Sequence, residues 1–292
     1  MKNPKLAVHT SLPRVPLAFS ECLRVALASM LLFAATVETR AQAEWGRWGA
    51  EQAAMGSAAV AQPGLWALGH NPAGLAQLER PAVGLFAENR FLLPELSTGT
   101  LAGALPTRSG VFGLSFSQFG YSLYSQSRLG LAFAKQLGQG LGAAVQLNYF
   151  RLRLSEEPGL NAVVADLGLR YQVFERLALA THLFNPSQSG YLDPNRAEDL
   201  PTYLRAGLWW TPDEKTQIGA QFEKDLRLPP SFSAGLSYQL VDGLWLRGGF
   251  SSQPAALSFG LGYQAGLLRV GLAFSMHQVL GYTPHADFMA QL

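Results

Sequence analysis

Leu257-Ser258-Phe259-Gly260-Leu261-Gly262-Tyr263 places a large apolar residue at every odd position and a small or hydroxylated one at every even position. Strict period-two alternation is the mark of a β-strand, because successive side chains leave a pleated backbone on opposite faces. One face of this ribbon carries Leu257, Phe259, Leu261 and Tyr263, and the other carries Ser258, Gly260 and Gly262. Both a soluble sandwich and a membrane barrel are built from such strands, so the surrounding sequence has to decide between them.

Working outward, the same alternation recurs in fourteen segments: 82–91, 95–105, 110–119, 127–137, 141–154, 161–173, 177–184, 202–211, 215–225, 231–240, 244–252, 255–264, 267–277 and 285–292. Most are near the ~9–11 residues of a tilted membrane strand and exceed the ~5–6 usual in soluble sheets. The connections between them fall into a short class, such as Glu175-Arg176 and Asp242-Gly243, and a longer class, such as residues 120–126, 185–200 and 279–284. Short turns at one rim and longer loops at the other are characteristic of an outer-membrane barrel and have no counterpart in a sandwich. The sequence therefore predicts an all-β fold, a 14-stranded antiparallel transmembrane barrel.

The two faces divide by chemistry as well. Phe232, Ala234, Leu236, Tyr238 and Leu240 suit lipid, whereas the opposite phase gathers Arg128, Asp166, Arg170, Arg205, Arg247 and Arg269. Such charges cost about 2–4 kcal/mol each at the bilayer midplane, so they are assigned to the lumen. Tyr149, Phe150, Tyr171, Phe174, Tyr203, Trp209, Trp210 and Trp245 lie near segment ends and are expected at the headgroup level. Between Tyr149 and Leu152 the phase slips, for which a β-bulge is the expected cause.

Only 14% of the 292 residues are charged, and the formal net charge is +2. Five of the 22 basic residues and two of the 20 acidic ones lie in the first 43 positions, so the remainder carries −1. Nucleic acid is excluded as a partner, since no basic patch is available to neutralise phosphates. The first 43 residues combine a basic stretch, the apolar run from Val25 to Val37 and Ala41-Gln42-Ala43, the pattern of a signal peptide cleaved after Ala43. The one cysteine, Cys22, lies within that segment, so the exported chain has no disulfide or thiolate metal site.

Residues 44–80 lack the alternation. They are rich in small side chains, include the helix-like stretch from Glu51 to Val60 and end in the turn signal Asn71-Pro72-Ala73-Gly74-Leu75. A 14-stranded lumen is too wide for wall side chains alone to fill, so 44–80 is read as an N-terminal hatch inside the barrel formed by 81–292.

Ala54-Met55-Gly56, then Asn71-Pro72-Ala73-Gly74-Leu75, then the alternating segments, and late in the chain the stretch from His277 to Pro284, resemble the FadL-like outer-membrane proteins, and more closely their PorV/PorQ branch. The resemblance implies a 14-stranded barrel with a luminal hatch to which Asn71, Pro72, Ala73 and Gly74 belong. It implies one of two roles: passive transport of small hydrophobic molecules across the outer membrane, or a non-transporting accessory component of a type IX-like secretion system. The partners expected are membrane lipid, with a hydrophobic molecule in the lumen or secretion-machinery proteins, and the barrel is expected to be a monomer.

Chemistry is sparse. Gly138-x-Gly140-x-x-Ala143 is followed by alternation and not by a helix, so it is no dinucleotide site. His70, His182, His277 and His285 lack metal-ligand spacing. Neither a metal nor a cofactor is expected, and no G-x-S-x-G elbow is present. The barrel is therefore expected to be no enzyme; a hydrolase would have to assemble serine and histidine from separate strands, and loss of hydrolysis on replacing His182 or His277 would reveal one. The luminal arginines are expected to pair with Asp166, Glu223 and hatch carboxylates. Glu156, Glu157, Asp193, Glu198 and Asp199 are expected as solvated charges in outer loops.

Overall fold

The computed structural model describes residues 47–155, 158–191 and 200–292. The expected export segment with its cleavage position, and the acidic residues Glu156, Glu157, Asp193, Glu198 and Asp199, lie outside the described residues. Fourteen strands follow in order: β1 (Ala82–Asn89), β2 (Ser97–Pro106), β3 (Val111–Gly120), β4 (Tyr124–Gln136), β5 (Leu141–Leu154), β6 (Leu160–Phe174) and β7 (Leu177–Phe184). The second half consists of β8 (Tyr203–Trp210), β9 (Thr216–Asp225), β10 (Ser231–Val241), β11 (Leu244–Ser252), β12 (Ala255–Ala265), β13 (Leu268–His277) and β14 (Gly281–Gln291). Each pairs antiparallel with its neighbours in sequence, and β1 pairs with β14 from Ala82↔Gln291 to Glu88↔His285, closing the barrel. Closure leaves no unpaired edge, which is the requirement for spanning hydrocarbon with strands.

The outward face is a continuous apolar band. Leu85, Leu101, Leu114, Leu131, Leu167 and Leu272 are each about half exposed or more. Burying a side chain of this kind gains roughly 1.5–3 kcal/mol, and exposed apolar patches of such extent are foreign to soluble monomers, so this band is built to be covered by lipid. Among the described residues no helix is long and apolar enough to cross a membrane.

Three expectations change. Between Tyr149 and Leu152 there is no bulge: β5 keeps continuous register with β4 and β6, and inside–outside alternation persists. What changes is polarity, with Phe150 and Leu152 turned inward and Arg151 and Arg153 outward. The register shifts instead lie at Gln172/Phe174 and Gln239/Val241, beside the tight turns that follow β6 and β10.

The aromatic belt divides. Tyr149, Tyr171, Phe174 and Trp210 are exposed on the outer face, but Phe150, Tyr203 and Trp209 are buried inside, and Trp245 lines an internal cavity. Alternation, more than proximity to a strand end, sets which side a ring takes.

Loop parity also weakens. The rim that holds the start of β1 and the end of β14, called the base here, has short turns, but at the opposite mouth only 90–96 and 185–202 are longer than five residues. The sheet extends into stretches expected as loop, so β4 starts at Tyr124 and β14 at Gly281.

Residues 47–81 fill the lumen. They form α1 (Ala50–Ala54) and two 3-10 segments, Leu65–Gly69 and Pro72–Gln77. Apart from Arg47, Ser57, Pro63 and Gly64, everything from Trp48 to Leu75 is buried. The small residues on the inner face of the wall make this packing possible. A Cβ on Gly235 would come within 2.5 Å of Met55, and one on Gly168 would overlap the Asn71 side chain.

Candidate functional site

The Asn71-Pro72-Ala73-Gly74 turn locks the hatch to the wall. Asn71 Oδ1 accepts from Ala73 N at 3.1 Å, capping the 3-10 segment that Pro72 begins. Its Nδ2 faces the carbonyls of Val60 in the hatch (2.9 Å), Leu169 on β6 (3.2 Å) and Thr181 on β7 (3.3 Å). Leu169 and Thr181 are directly paired, so one side chain joins hatch and wall at a single rung. Ala73 and Gly74 are buried in the same contact.

Above this floor, toward the mouth, lies a belt of buried charge. Arg128 on β4 donates to Asn148 Oδ1 (2.9 Å) and to Asp166 on β6 (3.5 Å), while Asn148 donates to the same carboxylate at 3.0 Å. His182 Nε2 lies 3.9 Å from Asp166 Oδ2. Arg205 on β8 meets Glu223 on β9 at 2.6 Å, and Arg47 reaches the same carboxylate from the hatch at 3.1 Å. Arg205 also faces the His70 carbonyl at 3.4 Å. His70 is buried and neutral: burial, and then the positive charge of Arg205, push it down to about 3, against the opposing effect of the Trp48 carbonyl.

The remaining arginines stand elsewhere. Arg170 donates to the Ala61 carbonyl at 2.9 Å. At the base, Glu51 of the hatch binds Arg269 (3.2 Å) and Arg247 (3.5 Å). Burial raises the Glu51 pKa, but the two arginines outweigh it and hold the carboxylate below the usual range. These groups line a cavity of about 140 Å³ shared with Gln62, Pro63, Trp209, Gln217 and Trp245. The six predicted luminal charges therefore form no single site: Arg128, Asp166 and Arg205 lie in the mouthward belt, Arg247 and Arg269 at the base, and Arg170 against the hatch backbone.

Sequence reasoning missed the feature most suited to a ligand. Mouthward of the charged belt, Phe150, Leu152, Leu160, Val164, Phe184 and Tyr203 form a buried apolar cluster on the inner faces of β5 to β8. Leu200 and Tyr191 of the 185–202 connection pack into it. Asn185 ties the described ends of that connection together, its Nδ2 donating to the carbonyls of Ser189 (2.9 Å) and Pro201 (3.2 Å). Phe184 and Tyr203 stack at 4.8 Å, and the Arg128 guanidinium sits over Trp48 (4.9 Å), Phe150 (5.5 Å) and Phe184 (5.7 Å). Three rings thus surround one guanidinium beside a packed apolar patch on the luminal side. The signal was present at Phe150 and Leu152, where the apolar phase moves to the inner face.

No family model and no curated protein matches the chain. Solved structures do. The toluene transporter TbuX of Ralstonia pickettii superposes with a TM-score of 0.65 at 14% identity, over 84% of this chain and 98% of that one. The CymD monoaromatic hydrocarbon channel gives 0.63 at 14%, over 84% and 96%. A Pseudomonas aeruginosa FadL homologue gives 0.57 at 10%, over 84% and 97%. At these identities what is shared is the fold, and the proteins that share it include a transporter and a channel.

Proposed function

We propose that this chain is a monomeric outer-membrane barrel of the FadL-like type that passes small hydrophobic molecules across the membrane. In this reading residues 1–43 direct export, 44–80 are the hatch and 81–292 are the conducting barrel. The observation that carries the reading is the apolar cluster of Phe150, Leu152, Leu160, Val164, Phe184 and Tyr203 on the inner faces of β5 to β8. Its place above the Arg128 and Asp166 belt makes it a holding site between the mouth and the hatch. Monoaromatic hydrocarbons, named for TbuX and CymD, are the first ligand class to test, because rings of that size match the aromatic lining.

The PorV/PorQ accessory role is the second reading, and it rests on the resemblance of Ala54 to Gly56, Asn71 to Leu75 and His277 to Pro284. Short connections at the mouth, such as 121–123, 253–254 and 278–280, offer little docking surface. Purification from native membrane in mild detergent separates the two. A stoichiometric hydrophobic small molecule without a protein partner supports the carrier, and a reproducible protein partner with an empty lumen supports the accessory role.

A further inference from the structure

The closing strands bring together a second group of side chains that transport does not use. On the luminal face toward the mouth, Glu88 of β1 stands directly opposite His285 of β14. Ser275 of β13 stands opposite Thr283 of β14, which places it diagonal to His285. Ser258 of β12 is the partner of Ser275 on the other side. Register alone therefore gathers an acid, an imidazole and a row of three hydroxyls on four adjoining strands.

The side chains follow the backbone. Ser275 Oγ lies 3.1 Å from His285 Nε2. His285 Nδ1 faces Oε2 of Glu88 at 3.3 Å, while Oε1 of the same carboxylate is held by Arg90. The imidazole also stacks on Phe86 at 6.2 Å and 20°, and Phe86 packs edge-on against Trp66 of the hatch. The ring thus stacks on Phe86 and lies beside a carboxylate, with its other nitrogen turned to a serine. That is the order nucleophile, base, orienting acid which activates a hydroxyl.

We propose that Ser275, His285 and Glu88 form a hydrolytic triad acting on esters of apolar acyl groups that enter the lumen. Ser275 Oγ attacks the ester carbonyl carbon while His285 Nε2 takes its proton. The adduct collapses with cleavage of the bond to the alkoxy oxygen, and His285 returns the proton to the departing alcohol. Water then attacks the acyl-serine as His285 takes its proton, the bond between the acyl carbon and Ser275 Oγ breaks, and His285 returns the proton to Oγ as the carboxylic acid leaves. Ser275 and His285 are the catalytic residues, and Glu88 is a positioning residue that keeps Nδ1 protonated. Backbone amides are committed to the sheet, so stabilisation of the oxyanion falls to the hydroxyls flanking Ser275: Ser258, 3.0 Å from its Oγ, and Thr283, which already accepts from Phe91 N at 3.2 Å. Phe86, stacked on His285, offers the acyl group an apolar surface.

The test uses the full exported chain in detergent micelles, with heat-modifiable gel mobility as the check of folding. A fluorophosphonate probe should label Ser275, located by peptide mass spectrometry, and p-nitrophenyl esters of medium-chain acids should be hydrolysed faster than the acetate. Ser275→Ala should abolish both, and His285→Gln should lower the rate about 100-fold or more. Glu88→Gln should lower kcat with little change in KM and displace the acidic limb of the pH profile, a shift that a merely structural role would not produce. Folded wild type that takes up no probe at Ser275, labelling that survives His285→Gln, or labelling of Ser258 in its place would overturn the proposal.

Discussion

Asn71 Nδ2 lies 3.2 Å from the Leu169 carbonyl of β6, although the two residues are 98 positions apart in the chain. Together with the bonds to Val60 and Thr181, this makes one amide a joint between hatch and wall. Asn71→Ala leaves buried carbonyls without that donor and the first turn without its cap, at about 1–3 kcal/mol. The expected outcome is a lower melting temperature and raised single-channel conductance in planar bilayers as the hatch loosens. Unchanged conductance would mean that the hatch is held elsewhere.

Gly168 stands where a Cβ would overlap Asn71 Oδ1, whereas Gly103 has nothing nearer than 3.8 Å. Gly168→Ala should therefore reproduce the loosened hatch, and Gly103→Ala should leave melting within about 0.5 kcal/mol of wild type. Comparing the two by heat-modifiable mobility separates luminal crowding from a general intolerance of side chains in the sheet.

Arg205 and Glu223 are a buried pair at 2.6 Å, joined by Arg47. Glu223→Ala strands buried positive charge and should cost about 3–5 kcal/mol, while the double variant Glu223→Leu with Arg205→Met should recover most of it. Urea unfolding in detergent reads both. A double variant as unstable as the single one would show that the wall depends on the belt's hydrogen bonds as well as on its charge balance.

The same belt makes the hatch sensitive to acid. His70 in place is pushed down to about 3 from an ordinary 6.5, first by burial and then by Arg205. A released hatch binds the proton below 6.5 and a docked one does not until about 3. Docking is therefore at full strength above 6.5 and weakens as pH falls, by about 1.4 kcal/mol per unit. Between 6.5 and 4.5, above the range of most carboxylates, conductance should rise as pH drops, and His70→Gln should flatten that slope.

Much of the barrel was legible because a half-buried strand writes its two faces into alternate positions. Leu257 to Tyr263 and Leu268 to His277 keep that code throughout, and their strands lie where periodicity puts them. Arg128 and Arg205 were legible as luminal for a related reason, since charge on the lipid side is costly. Phe150 and Leu152 were not, because alternation gives the phase of a strand but not which phase faces inward. A luminal patch that is itself apolar then resembles a bulge. Glu88, Ser275 and His285 were equally hidden, since only the closure of β1 on β14 makes neighbours of residues almost two hundred positions apart.

The most direct test of the account is the rate at which a radiolabelled monoaromatic hydrocarbon crosses proteoliposomes containing wild type or Phe150→Arg, which puts a charge into the apolar cluster. The account predicts transfer well above that of protein-free vesicles for wild type, and a fall of about tenfold or more for the variant at equal folded content. Wild-type transfer no faster than in protein-free vesicles, or a variant as fast as wild type, would contradict the claim that the cluster lies on the path.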